Sequence, residues 1–137
     1  MRRVVLFFLL TLAPFAAQGE IYNCDITRNG TGDWMPTRLL MDHKPGDQTA
    51  EVWDPFIKYF VGKPLQAKVT ADNEKRVTVV WRITRLTNTE GVVRQYTPRL
   101  EYRATLLKPS LKLVIKAFPI RYSNSYRAEG RCRVHKK

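Results

Sequence analysis

The residues of this chain with the most specific chemistry are two cysteines, Cys24 and Cys132, which lie near opposite ends of the sequence. Such residues serve as reactive thiols, as metal ligands or as the two halves of a disulfide. No Cys-x-x-Cys spacing supports redox chemistry, and a metal site has only His43 and His135 to add. The spacing favours a disulfide and predicts neither a metal site nor a cofactor.

Residues 1–19 indicate the compartment in which these cysteines are found. A cationic start, Met1-Arg2-Arg3, precedes a mostly apolar run, and small residues follow at Ala17 and Gly19. This pattern is typical of a secretory signal peptide, and the run is shorter than the roughly 20 apolar residues of a membrane span. We expect a secreted or periplasmic protein without a transmembrane anchor, cleaved after Gly19, with one domain over residues 20–137.

Export strengthens the disulfide prediction, because an even number of thiols in an oxidising compartment usually means pairing. A bond between Cys24 and Cys132 spans 108 residues, and chain entropy predicts a stabilisation of about 4.7 kcal/mol for a loop of that length. The bond would also tie the beginning of the domain to its end. A free or intermolecular thiol is the alternative.

The remaining candidates for catalysis are two histidines and scattered carboxylates. His43 follows Asp42, but adjacent residues of a strand point to opposite faces, so this aspartate is not placed to orient the imidazole. His135 lies close to the last residue, and no nucleophile elbow or metal spacing accompanies either histidine. We predict no catalytic residues, and an enzyme without a visible motif is the least favoured of the function classes.

The elements that position these residues follow from an alternation of apolar and polar side chains, which is typical of strands with one buried face. From Gln95 to Leu106 the even positions, including Tyr96 and Tyr102, are mainly apolar, whereas the odd positions are polar. Similar alternation occurs over 65–71, 77–84, 111–117 and 126–134. In the last of these runs Cys132 falls on the apolar face, as expected of a buried half-cystine.

Turn-forming clusters separate these runs at even spacing, which predicts a single antiparallel meander of about eight strands. The exception is 54–61, where Asp54 can cap a short helix that begins at Pro55. Such an all-β domain closes into a small barrel or folds into a two-sheet sandwich. We favour the barrel, because short turns between consecutive strands need no crossover and because Cys24 would then lie beside Cys132.

The predicted layout resembles the up-and-down barrels of lipocalins in its architecture. The glycine-x-tryptophan motif near the start of that family is missing here, because Gly32-Asp33-Trp34 follows the first strand rather than lying within it. The resemblance implies a barrel and carries no expectation about function.

The net charge of +12 is the strongest functional signal in the composition. The basic residues on the outward face of the predicted strands are Arg76, Arg82, Arg99, Arg103, Lys112, Lys116, Arg127, Arg131 and Arg133. Neighbouring strands lie about 4.8 Å apart, so these side chains can form a continuous basic field that attracts anions. A solvated exterior whose charge only maintains solubility is the alternative.

The aromatic residues argue against nucleic acid as the anion. A sheet that binds single strands presents aromatic and basic side chains on one face, so that bases stack while phosphates pair. Here Trp81 precedes Arg82 and Tyr102 precedes Arg103, which places rings and charges on opposite faces. Anionic envelope glycans or lipid headgroups are the expected partners of the basic face.

A carrier of a small apolar ligand is the alternative function. Its interior pocket would be lined by Phe56, Tyr59, Phe60, Trp81, Tyr96 and Tyr102. The segment around the predicted helix would seal one edge of the core. Of the two functions, the sequence favours the basic outer face.

Overall fold

The computed structural model describes residues 18–28, 34–88 and 95–136. Their elements are β1 (Glu20–Thr27), β2 (Arg38–His43), β3 (Thr49–Trp53), α1 (Pro55–Phe60), β4 (Leu65–Asp72), β5 (Arg76–Asn88), β6 (Gln95–Leu107), β7 (Lys112–Pro119) and β8 (Tyr126–Lys136). Residues 1–17 of the predicted signal peptide lie outside the described residues, so export stays a prediction.

The strands form a closed antiparallel barrel in which each strand pairs with its neighbours in the sequence and β8 returns to β1. The predicted all-β fold is confirmed, and it is the barrel rather than the sandwich. The turns β2–β3, β4–β5 and β6–β7 lie together at one end, which we call the turn end. Helix α1 lies at the opposite end, called the helix end, with the last residues of β1 and β5 and with the β7–β8 connection.

The predicted disulfide joins Cys24 to Cys132. The two residues are directly opposite each other in the β1–β8 ladder, with their Cα atoms 3.9 Å apart. Both side chains are buried, as the alternation in 126–134 predicted. The bond therefore holds together the two strands whose pairing closes the barrel.

Aromatic side chains fill the interior towards the helix end. The ring of Trp81 stacks on that of Tyr102 with a centroid distance of 5.2 Å. The Tyr102 hydroxyl donates to the carbonyl oxygen of Trp34 at 2.7 Å. Trp34 and Met35, which precede β2, are both buried and belong to the core.

Helix α1 begins as the sequence predicts. The Asp54 carboxylate accepts a hydrogen bond from the backbone N–H of Ile57 at 2.8 Å, and Pro55 is the first helical residue. Gly62, with φ 83°, adopts the left-handed conformation that stops the helix. In the described part of the chain no helix has the length and apolar character needed to cross a membrane.

The alternation of buried and exposed side chains changes phase near the helix end of β5 and β6. Arg85 has a left-handed backbone with φ 58°, and the next residue, Leu86, is buried. Opposite Leu86, Thr97 is also buried, and its hydroxyl donates to the carbonyl oxygen of Ile120 at 2.7 Å. Tyr96 consequently lies outside with 45% of its surface exposed, and its prediction as an inward residue is wrong.

Candidate functional site

The predicted basic residues project outward from β5–β8, and the register of the strands aligns several of them. Val80 lies between Lys68 of β4 and Arg103 of β6. Arg103 is directly opposite Lys116 of β7, which in turn is directly opposite Arg127 of β8. We call Lys68, Arg103, Lys116 and Arg127 the basic row. Lys68 was not among the predicted site residues, because its place in the line depends on the register of β4 against β5.

Three members of the basic row are immediate neighbours. Side chains directly opposite each other in an antiparallel pair have Cβ atoms about 4.5–5.5 Å apart, and like charges at this distance destabilise the sheet. Arg103 and Lys116 make no ion pair with any described residue. The row therefore keeps an electrostatic repulsion that a bound anion would relieve.

Carboxylates accompany the row at its β8 side. Glu129 forms ion pairs of 2.9 Å with both Lys112 and Arg127. The hydrogen bond and charge of Lys112, followed by the charge of Arg127, hold the pKa of Glu129 below its ordinary value. Glu129 thus offsets part of the positive charge of β7 and β8 but does not reach Arg103 or Lys116.

Two other predicted basic residues are already paired. Arg82 contacts Glu101 at 2.7 Å, and Arg133 contacts Asp25 at 3.3 Å, a carboxylate that Arg38 also approaches. The predicted basic residues without an ion pair to the described part of the chain are Arg76, Arg99, Arg103, Lys116 and Arg131. These unpaired charges lie on all four strands β5–β8, and Arg103 and Lys116 are the two of them that stand directly opposite each other.

A cleft of about 550 Å³ lies on the outer face of β1, β7 and β8. Its lining residues are Asp25, Thr27, Lys112, Arg127, Ala128, Glu129, Gly130 and Arg131. Both signs of charge are present, and Arg127 belongs to the basic row as well. The cleft therefore extends the row towards β1 with a surface that can accept an extended polar chain.

The aromatic residues predicted to line a pocket divide between the core and the surface. Trp81 and Tyr102 are buried and stack on each other, and the ring of Phe56 packs 6.3 Å from that of Tyr102. These rings pack against one another and fill the part of the barrel interior around Tyr102. Tyr59 is 82% exposed, so its prediction as part of the seal over the core is wrong. Phe60 is partly buried and lies between the rings of Phe56 and Tyr59.

A polar cluster at the turn end was not predicted. His43 is buried, and its Nε2 lies 3.0 Å from Oδ2 of Asp72, which also accepts the backbone N–H of Gly46 at 2.9 Å. Lys108 donates to Oδ1 of Asp72 at 2.7 Å. Burial raises the pKa of Asp72, but the hydrogen bonds from Lys108, Gly46 and His43 outweigh it and hold that pKa below its ordinary value. The cluster thus fixes the ends of β2, β4 and β6 to one another.

The sequence does not predict this cluster, because the only carboxylate next to His43 in the chain is that of Asp42. The relevant carboxylate is 29 residues away in the chain. The alternation did contain one signal, since it places His43 on the same face as the buried Met41. Among the described residues no group of three or more His, Cys, Asp and Glu side chains is placed to hold a metal ion.

In comparisons with protein-family models, curated proteins and solved structures, the chain matches none of them.

Proposed function

We propose that this protein is exported and binds anionic components of a cell envelope, either glycan polymers or lipid headgroups, through the outer face of β4–β8. The observation that carries the proposal is the basic row, in which Arg103 and Lys116 stand directly opposite each other without a described counter-charge. Closely spaced positive charges of this kind attract anionic groups.

The geometry of the row favours an extended polyanion over a single small anion. Adjacent strands are separated by about 4.8 Å, so the row presents a cation at each of three successive steps across the sheet. The side chains are long and exposed, and the row itself contains no aromatic ring on which a base could stack. Binding is therefore electrostatic, tolerant of the anion's identity and weakened by salt.

The disulfide supports the part of the proposal that concerns location. Disulfides form and persist in secreted and periplasmic proteins and are rare in the cytosol. The bond between Cys24 and Cys132 agrees with the signal-like pattern of residues 1–19. Both features favour an envelope component over an intracellular anion.

The test compares two double variants with equal loss of charge. Arg103→Gln with Lys116→Gln removes the centre of the basic row, whereas Lys44→Gln with Lys75→Gln removes two exposed charges from turns at the turn end. On a dextran sulfate column we expect the row variant to elute at clearly lower salt than the control. The affinity should fall about tenfold or more, since each well-placed basic side chain near an anionic surface contributes about 1 kcal/mol.

The outcome that overturns the proposal is equal elution of the two variants at about 0.1 M salt, where the Debye length is roughly 10 Å. Retention would then depend on net charge alone. Thermal unfolding serves as the control for folding, because the substituted side chains are exposed and both variants should melt close to the parent.

The alternative function, carriage of a small apolar ligand, stays a prediction. The stacking of Trp81 on Tyr102 and the outward placement of Tyr59 and Tyr96 do not favour it, because these rings were to line the pocket.

A further inference from the structure

Large exposed apolar side chains are distributed unequally over the described part of the barrel. Those at the helix end are Tyr59, Val61, Tyr96 and Phe118. At the turn end the corresponding residue is Leu107. Single exposed apolar residues are common on protein surfaces, but a group of them at one end of a molecule indicates contact with something apolar.

Tyr59 is the outermost ring of a series that begins in the core. Phe56 packs against the buried Tyr102 with a centroid distance of 6.3 Å, and Phe60 stacks on Phe56 at 6.3 Å. Tyr59 then packs edge-on against Phe60 at 4.9 Å. Buried Ile57 anchors the same helix to the barrel. The exposed ring is thus held in place by packing rather than carried on a free loop.

Basic residues surround this apolar group. Lys58 lies within α1, Lys63 follows it, and Arg99 and Arg121 belong to β6 and the β7–β8 connection. All of them are exposed, and none makes an ion pair with a described residue. The helix end therefore combines aromatic rings with unneutralised positive charge.

The described carboxylates nearest to the helix end do not cancel this charge. Asp54 is buried beneath α1, and Asp25 pairs with Arg38 and Arg133. Glu101, opposite Phe118, pairs with Arg82. The turn end differs, because its described residues include the acidic side chains Glu20, Asp42, Asp47, Asp72 and Glu74.

We infer that the helix end docks on the surface of an anionic phospholipid bilayer, with Tyr59 and Val61 in the interfacial region and Lys58 and Lys63 at the headgroups. Tyrosine is enriched at membrane interfaces because its ring is apolar and its hydroxyl is polar. Basic side chains beside an interfacial apolar group add attraction to anionic lipids. A soluble polyanion would use the charges but would leave the exposed rings in water. This inference goes beyond the proposed function, since it involves no residue of the basic row.

The first experiment measures the depth of each end in the membrane. Tyr59→Trp and Leu107→Trp place an added indole at the helix end and at the turn end, both at exposed positions. Each variant is mixed with vesicles of phosphatidylcholine and phosphatidylglycerol that contain acyl-brominated phosphatidylcholine. We expect bromine to quench the Tyr59→Trp variant more than the parent protein, and the Leu107→Trp variant no more than the parent. Equal quenching of the two added indoles, or quenching of neither, overturns the inference.

The second experiment measures binding to the same vesicles without bromine, by sedimentation. Lys58→Gln with Lys63→Gln should weaken binding roughly 30-fold, the equivalent of about 1 kcal/mol per basic residue near the surface. Tyr59→Ser should weaken it several-fold, whereas Leu107→Ser should leave it unchanged. Equal effects of the two serine variants would contradict a docking role for Tyr59.

The variant of the basic row separates this inference from the proposed function. If Arg103→Gln with Lys116→Gln abolishes vesicle binding while the lysine variant of the helix end retains it, the membrane is bound by the side of the barrel and the inference fails. If the row variant loses only its retention on dextran sulfate, the two surfaces act independently and the inference holds.

Discussion

Asp54 is the residue in which burial and charge conflict most clearly. Its carboxylate caps α1, yet burial raises its pKa from 3.8 to about 6, despite the opposing hydrogen bonds from the backbone of Ile57 and Phe56. The nearby Trp81 indole also lowers the pKa of Asp54. Nε1 of Trp81 and Oδ2 of Asp54 nevertheless form no hydrogen bond of normal geometry. The cap is therefore retained at the cost of a poorly solvated charge.

This conflict predicts a pH dependence of stability. Because the folded-state pKa of Asp54 is about 6 and its unfolded value is 3.8, the native state binds the proton more tightly, and the free energy of unfolding falls as pH rises between those values. Near pH 7 the loss from this residue is about 2 kcal/mol relative to pH 4. Asp54→Asn keeps the capping oxygen without the charge, so its urea unfolding should lack this part of the slope.

Two comparisons make this prediction specific. Asp54→Ala removes the cap as well and should cost about 1 kcal/mol at acidic pH. The pKa of Asp72 is shifted in the opposite direction, so this residue stabilises the fold above its unfolded pKa. That stabilisation is lost as pH falls through the lowered folded pKa, which lies below the pH range in which Asp54 titrates. Parallel stability curves for the parent and Asp54→Asn between about pH 4 and 7 would contradict the account.

At the scale of single residues, the sequence predicted those positions whose role follows from local pattern. Cys132 was placed inward by alternation, and Asp54 was placed at the helix start by its position before Pro55. The pairing of His43 with Asp72 could not be predicted, because it depends on which strand ends meet at the turn end. The basic row could not be predicted for the same reason. Alternation predicts that Arg103 points outward, but only the register of β6 against β7 shows that Lys116 lies opposite it.

At the scale of elements, the strands and the short helix were predictable, but the phase of β5 and β6 was not. Alternation is broken at Arg85 by a positive φ, and arginine carries no signal for that conformation. The paired strand then places Thr97 inside, where its hydroxyl finds a backbone carbonyl. A threonine at an inward position looks polar in the sequence, and so Tyr96 was assigned to the wrong face.

The pairing of β1 with β8 depends on a glycine without room for a side chain. Gly130 lies opposite Ile26 in the ladder, and a Cβ at this position would overlap the backbone carbonyl oxygen of Asp25. We therefore expect Gly130→Ala to push the two strands apart and to lower the free energy of unfolding by about 2 kcal/mol, a typical cost of overpacking. Urea unfolding measures the change.

The control for this prediction is Thr27→Ala, which shortens an exposed side chain of the same strand pair and should change stability by less than about 0.5 kcal/mol. A Gly130→Ala variant as stable as the control would show that β1 moves aside without strain.

At the scale of the whole molecule, the barrel has two surfaces that we expect to bind different partners. The side of β4–β8 carries the basic row, and the helix end carries exposed rings together with unpaired lysines. The two proposals can hold together, because a molecule docked by its helix end leaves the side of the barrel free. Their independence predicts that vesicle binding and dextran sulfate binding respond to different substitutions.

The closed ring of strands also allows the chain to be opened at another point. A short linker from Lys136 to Glu20 joins neighbouring strand ends, and a new opening between Pro109 and Ser110 falls in an exposed turn. In this circular permutant Cys132 would precede Cys24 by about 15 residues instead of following it across most of the domain. For a loop that short, chain entropy predicts about 3 kcal/mol from the disulfide instead of about 4.7.

Replacing both cysteines by alanine should therefore destabilise the natural chain more than the permutant, by about 1 to 2 kcal/mol in urea unfolding. Equal losses in the two proteins would mean that the bond acts through contacts in the folded barrel. Unequal losses would mean that the same bond, between the same two strands, has a strength set by the order in which the chain passes around the ring.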